Sequence, residues 1–229
     1  MSGFLQYDSL KAVLLHIEPN IRFQISSRCP SIRRVESLTP LKINQLIFKS
    51  TSTIVNDTTY QVCVHRKCLQ GVSRCDIIHY DSDPYGWKVD SETYLIHSDD
   101  VDFRRHPVKP YAVILSERLE EDPPVFDLHL QLRVLNGNGE PKIHRIPYKT
   151  RIVHGLRTVN SILLGNRNLD IKFLGIETEV VRLSGSFKPR VHGAKVGYWV
   201  SANNYALKSM VDPSSFPLIA TKPNGFFRS

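Results

Sequence analysis

The chain has 229 residues, an apolar fraction of 41% and a formal net charge of +8. That length suits one large domain or two small ones, and that apolar content supports a folded core, which excludes a disordered chain. No apolar run reaches the roughly 18–20 residues a membrane span needs, and no basic-then-apolar leader opens the sequence, so the expectation is a cytoplasmic or nuclear protein whose Cys29, Cys63, Cys68 and Cys75 are reduced.

The first 36 residues carry the clearest pattern. Leu10, Val13, Leu14 and Ile17 fall at i, i+3, i+4 and i+7, which predicts one apolar face of a short helix. Pro19-Asn20 ends that helix and opens a second, on which Ile21, Ile25 and Cys29 recur every four residues. Pro30-Ser31 opens a third, with Ile32 and Val35 inward. Helices this short do not hold alone in water, so they must dock on the rest of the chain, on a partner, or on both.

This segment resembles an F-box, the helical module that joins a substrate receptor to the Skp-type adaptor of a cullin ubiquitin ligase. Leu5, Leu10, the Val13-Leu14 pair, the Ile17-Glu18-Pro19 step, Phe23, Ile25 and Cys29 follow the pattern without gaps. Gln6, Ile21, Arg22, Arg28 and Ile32 depart from it. Tyr7 to Leu14, Ser26 to Ser31, Pro40 to Ile43 and Leu163-Leu164-Gly165-Asn166-Arg167 are similar to a large nematode-expanded, F-box-like family of unknown function. The resemblance implies that Leu5, Leu10, Val13, Leu14, Ile17 and Pro19 form an adaptor face toward a Skp-type adaptor and cullin scaffold. A sheet-rich remainder would then hold an unknown protein target. The departures, Gln6, Arg22 and Arg28 above all, keep open a second reading, in which the helices have become internal structure.

Beyond the helices the apolar period changes from 3.6 to 2. Leu41 to Phe48 reads as a strand, and Tyr60, Val62 and Val64 mark another after the Asn56-Asp57 turn. Gly86 to Val89 and Thr93 to Ile96 read as a hairpin across Asp90-Ser91. Phe126 to Val134 alternates most regularly, and Ile143 to Tyr148 should return antiparallel beyond Asn136-Gly137-Asn138-Gly139. Ser98 to Pro110 and Glu117 to Pro124 read as exposed loops. From Lys149 to Leu164 a helical stripe of Ile152, Leu156, Val159 and Leu163 returns, stopped by Gly165. Leu169 to Ile176 repeats the Leu-x-Ile-x-x-Leu spacing of Leu41 to Leu46, a helix-then-strand unit used twice. Two copies are too few for a solenoid. Ala194 to Val200 reads as a late strand and Asp212 to Ser229 as a turn-rich tail. The expected class is α+β: a helical module over 1–38, a largely antiparallel, β-rich interaction domain with one longer helix over 39–211, and a tail over 212–229.

Catalytic patterns are lacking. No Gly-x-Ser-x-Gly elbow accompanies the histidines, and no phosphate-binding glycine motif or cofactor pattern occurs, so neither an enzyme nor a cofactor is expected. Cys63, His65, Cys68, Cys75 and His79 have the donor types for zinc without its tight Cys-x-x-Cys pairs, which favours a strand with buried thiols. Trp87, Tyr94, Phe103, Arg104 and Arg105 are the candidate target-binding patch, since aromatics and arginine dominate binding hot spots; the competing reading packs the aromatics in the core. The basic excess after Gly139 would attract acidic partners, nucleic acid among them, but carries no RNA-binding signature, and nucleic acid stays the third choice.

Overall fold

The computed structural model describes residues 7–69, 75–85, 88–89, 98–103, 126–137, 139–183, 187–196, 204–216 and 219–221. Three short helices come first: α1 (Tyr7–His16), α2 (Pro19–Arg28) and, after a 3₁₀ turn at Pro30–Ile32, α3 (Arg33–Leu38). The strands β1 (Leu41–Lys49), β2 (Ser52–Val55), β3 (Thr58–Cys68), β4 (Cys75–Ile78), β5 (Asp81–Ser82), β6 (Lys88–Val89), β7 (Val101–Asp102), β8 (Phe126–Asn136) and β9 (Lys142–Pro147) follow. Then come α4 (Ile152–Leu164), β10 (Leu169–Glu177), β11 (Val180–Val181), β12 (Arg190–Val196), α5 (Asn204–Met210), a 3₁₀ turn at Pro213–Ser215 and β13 (Ile219–Thr221). The class is α+β, as the period change implies.

Among the described residues nine strands form one sheet in the order β13-β12-β10-β1-β2-β3-β8-β9, with β4 also on β3. The sheet is mixed. From β1 to β9 every pair is antiparallel, whereas β1–β10, β10–β12 and β12–β13 are parallel. The reason lies in the repeated unit. A strand preceded by a helix returns beside its sibling in the same direction, because the helix is the crossover. The two Leu-x-Ile-x-x-Leu copies are direct neighbours: Leu41 pairs with Leu169, Ile43 with Ile171 and Leu46 with Leu174, all six buried.

Both copies skip a step after their isoleucine. In β1, Asn44 and Gln45 are exposed in succession, and their N–H groups both donate to Asn56 Oδ1, at 3.0 and 3.1 Å. Asn56 takes φ 51° in the β2–β3 turn, a conformation asparagine tolerates. The turn residue thus satisfies the donors that the skip in β1 strands.

The even-numbered residues of β3 and β8 turn to α4: Val62, Val64 and Leu130 cluster with Ile152 and Leu156. A larger core joins Leu41, Ile43, Leu46 and Phe48 to Leu163, Ile171, Leu174 and Phe23 of α2. Two expectations need correction here. On α2 the inward positions are Pro19, Asn20, Arg22, Phe23 and Ser26, while Ile21 and Cys29 are exposed. The four-residue recurrence of Ile21, Ile25 and Cys29 misidentified the face, because an arginine and an asparagine occupy buried positions. The stretch from Asp212, expected as a tail, is joined to the sheet as far as it is described. Asp212 N–H donates to Pro189 C=O at 2.9 Å, Val191 N–H donates to Ser215 Oγ at 2.9 Å, and β13 extends the parallel ladder. α5 was not foreseen. Lys88–Val89 pairs with Asp81–Ser82, whereas Thr93 to Ile96, its expected partner, lies outside the described residues.

At the end of α4 only glycine fits at position 165. Its φ is −62°, open to any residue, but a Cβ there would stand 2.5 Å from the Ser161 carbonyl oxygen. The positive φ falls on Asn166, at 55°. Gly165→Ala should therefore lower unfolding free energy by about 1–3 kcal/mol in urea titration, since the obstacle is backbone and does not yield. An unchanged midpoint would contradict this account of the turn.

Candidate partner-binding site

α1 rests on α3, and α2 spans between α3 and β1. Of the expected adaptor face, Leu5 lies outside the described residues. Leu14 is 1% exposed and Pro19 is buried; Leu10 and Ile17 are half-buried; Val13 is 48% exposed. Ile21, at the start of α2, is 50% exposed. The stripe therefore divides, with Leu14 anchoring α1 and Leu10, Val13 and Ile17 partly open.

The module owes its position to charge. Arg22 is 1% exposed. Its Nε donates to Glu36 Oε1 at 3.2 Å, one terminal nitrogen to Pro40 C=O at 2.8 Å, and the other to the carbonyls of Glu36 and Thr39 at 2.8 and 2.9 Å. These carbonyls close α3, where a cation also meets the negative end of the helix dipole. Burial pulls the Arg22 pKa below its usual value, and Glu36 opposes the shift. Glu36 also receives Arg167, whose guanidinium stacks over the Phe23 ring at 5.3 Å. Two arginines thus share one buried carboxylate, and Arg167 reaches it from the turn after α4. This explains the Leu163-Leu164-Gly165-Asn166-Arg167 motif: two core leucines, a close turn, a left-handed residue and the cation. Sequence reading found the motif without its partner and took Arg22 for a mere departure.

A hydrogen-bond network around Glu18 secures the start of α2. Glu18 caps the helix by accepting from Ile21 N–H at 3.1 Å, and its other oxygen accepts from Asn20 Nδ2 at 2.7 Å and Asn56 Nδ2 at 3.0 Å. Tyr60 O–H donates to Asn20 Oδ1 at 2.9 Å. Burial, then the nearby Glu18 charge, pushes the Tyr60 hydroxyl well above its usual pKa.

The expected target patch is corrected where it can be seen. Phe103 is 0% exposed and belongs to the main core, so it is not a recognition residue. Trp87, Tyr94, Arg104 and Arg105 lie outside the described residues. Of the loop expected from Ser98 to Pro110, residues 98–103 are described: Ser98 and Asp99 are exposed, but the Asp100 carboxylate is buried against Arg157, at 3.2 and 2.5 Å, and Arg182, at 3.1 Å, and Val101–Asp102 pairs with β11. Arg157, Arg167 and Arg182 thus spend part of the basic excess on interior acids.

Cys63 and His65 share the β3 face that turns away from α4. Cys63 Sγ donates to Gln131 C=O at 3.5 Å, and burial raises the thiol pKa. The His65 ring meets His129 edge-on, with centroids 6.3 Å apart. Among the described residues no group of three His, Cys, Asp or Glu is placed to hold a metal, and no helix is long and apolar enough to cross a membrane.

The buried carboxylate and the buried imidazole each generate a prediction. Glu36→Gln leaves two buried cations without their anion and should cost about 3–5 kcal/mol in chemical denaturation; a loss below about 1 kcal/mol would show that the cluster is not holding the helices. His65 has its pKa lowered, first by burial and then by Arg145 and His129, with Lys67 adding and Asp127 opposing. A lowered histidine pKa means the unfolded chain takes up the proton first, so stability should fall as pH drops below about 6.5. His65→Gln should flatten that part of the curve of unfolding free energy against pH; an unaltered slope would contradict the assignment.

Compared with known proteins, the chain matches no family model, no curated protein and no solved structure.

Proposed function

We propose that the chain is a protein–protein adaptor of F-box type, whose N-terminal helices engage a Skp-type adaptor while the sheet domain carries a target. The observation that carries this reading is the divided stripe on α1: Leu14 anchors the helix while Leu10, Val13 and Ile17 stay partly accessible, on a module held by buried charge. A half-open apolar face on a rigid base suits docking, because little entropy remains to be lost on association. Such a protein does no chemistry of its own; it sets the geometry between two partners.

A second reading has an observation of its own. Arg22 and Phe23, at positions of the F-box-like segment, are committed to the interior, which favours helices that serve this chain alone. Mixing the purified chain with a purified Skp-type adaptor separates the two. The adaptor reading expects co-elution in gel filtration and an affinity weakened about tenfold or more, about 1.4 kcal/mol, by Val13→Glu with an unchanged melting temperature. No complex at tens of micromolar would leave the internal role as the better account.

A further inference from the structure

Among the described residues β9 is the outermost strand on its side of the sheet, and all six of its residues are exposed. Tyr148 N–H donates to Leu128 C=O at 3.1 Å, and the same register continues through Ile146 with Leu130, His144 with Leu132 and Lys142 with Val134. In an antiparallel ladder alternate residues turn their N–H and C=O groups to the same neighbour. Lys142, His144 and Ile146 therefore spend theirs on β8. Ile143 and Arg145 aim theirs away from the sheet, toward no partner among the described residues. Pro147 has no N–H, and its C=O accepts from Lys149 N–H at 2.8 Å.

The side chains define what this edge would accept. Ile143 and Ile146 are 45% and 54% exposed, one on each face of the strand. Lys142, His144 and Arg145 surround them, and Arg133 stands beside Ile143 on β8. Arg145 uses Nε on Gln131 Oε1 at 2.7 Å, and Arg133 has a buried Nε with no partner and one terminal nitrogen on Gln61 Oε1 at 3.3 Å. Among the described residues, Asp127 lies on β8 and Glu140 just before β9 in the chain. A second copy fits poorly, since it would set one row of Lys142, His144 and Arg145 against an identical row. An edge lysine and a proline are the usual guards against such self-pairing.

We propose that β9 is a docking edge for an extended acidic segment of a partner protein. The segment adds to the sheet as a further strand, its backbone pairs with Ile143 and Arg145, its apolar side chains lie beside Ile143 and Ile146, and its carboxylates meet Lys142, Arg133 and Arg145. This surface does not depend on the helical module or on the adaptor reading.

The test uses the full chain and fluorescein-labelled peptides of about ten residues, followed by fluorescence anisotropy and amide hydrogen exchange. One peptide repeats Glu-Glu-Val-Val, which puts glutamate and valine on both faces of a strand; the other, of equal charge, has glycine for each valine and pairs poorly as a strand. The Glu-Val peptide should bind at least about tenfold more tightly and protect the Ile143 and Arg145 amides. Ile143→Pro removes an outward N–H at a place where an edge strand tolerates proline, and should weaken binding about tenfold or more. Arg145→Glu, a surface reversal that does not depend on tolerance of proline, should do the same. The proposal is overturned by equal affinity for both peptides, by Glu-Val binding that neither variant weakens, or by protection confined to other strands. It is equally overturned if the edge instead pairs copies of this chain, or if a random single-stranded oligonucleotide binds and the Glu-Val peptide does not.

Discussion

A carboxylate shared by two buried arginines holds this molecule's parts in place. Glu36 lies on α3, Arg22 on α2 and Arg167 in the turn between α4 and β10, so one charge cluster ties two helices of the N-terminal module to the body of the sheet. Removing charges from water costs several kcal/mol for each ion, and only close, fully hydrogen-bonded geometry offsets it. Arg22 meets that demand by donating to three backbone carbonyls as well as to Glu36. The arrangement is directional as an apolar contact is not. It fixes where α3 ends and how α2 crosses it, and hence which side of α1 is left open.

The sheet has two halves of different logic. The half from β1 to β13 is parallel, built from strands that return beside one another after intervening segments, and its strands interleave buried apolar side chains with exposed polar ones. The half from β2 to β9 is an antiparallel run, apolar toward α4 and polar on its other face. Across that polar face lie Cys63, His65, Gln131, Arg133 and Arg145, and among the described residues the run ends in an unpaired edge at β9.

Much of this was legible in the residues. The change of apolar period located the helices, β1, β3, β8, β9 and α4, and the Leu-x-Ile-x-x-Leu echo marked two strands that prove to be neighbours. The misses have a common physical cause. Apolar periodicity finds apolar faces, so it assigned α2 to Ile21, Ile25 and Cys29 and overlooked a face led by Arg22 and Asn20. It likewise read the acid-rich run from Ser98 as solvent-exposed, although Asp100 is buried between Arg157 and Arg182. A buried charge looks like a surface charge until its partner is known, and here each partner lies far away in the chain. Of the candidate residues, the stripe on α1 was legible as part of a helix, with Leu14 turned inward and Val13 exposed, whereas Phe103 lies in the core.

The central claim is that the charge cluster docks the helical module on the sheet as one cooperative body. Native-state hydrogen exchange on the Arg167→Met variant tests it most directly, because methionine keeps contact with Phe23 while removing the cation from Glu36. The account predicts that amides of α1 to α3 lose protection while those of β1 and β10 keep theirs, a partial opening confined to the module. Unchanged protection in α1 to α3, or a uniform loss across helices and sheet alike, would contradict it.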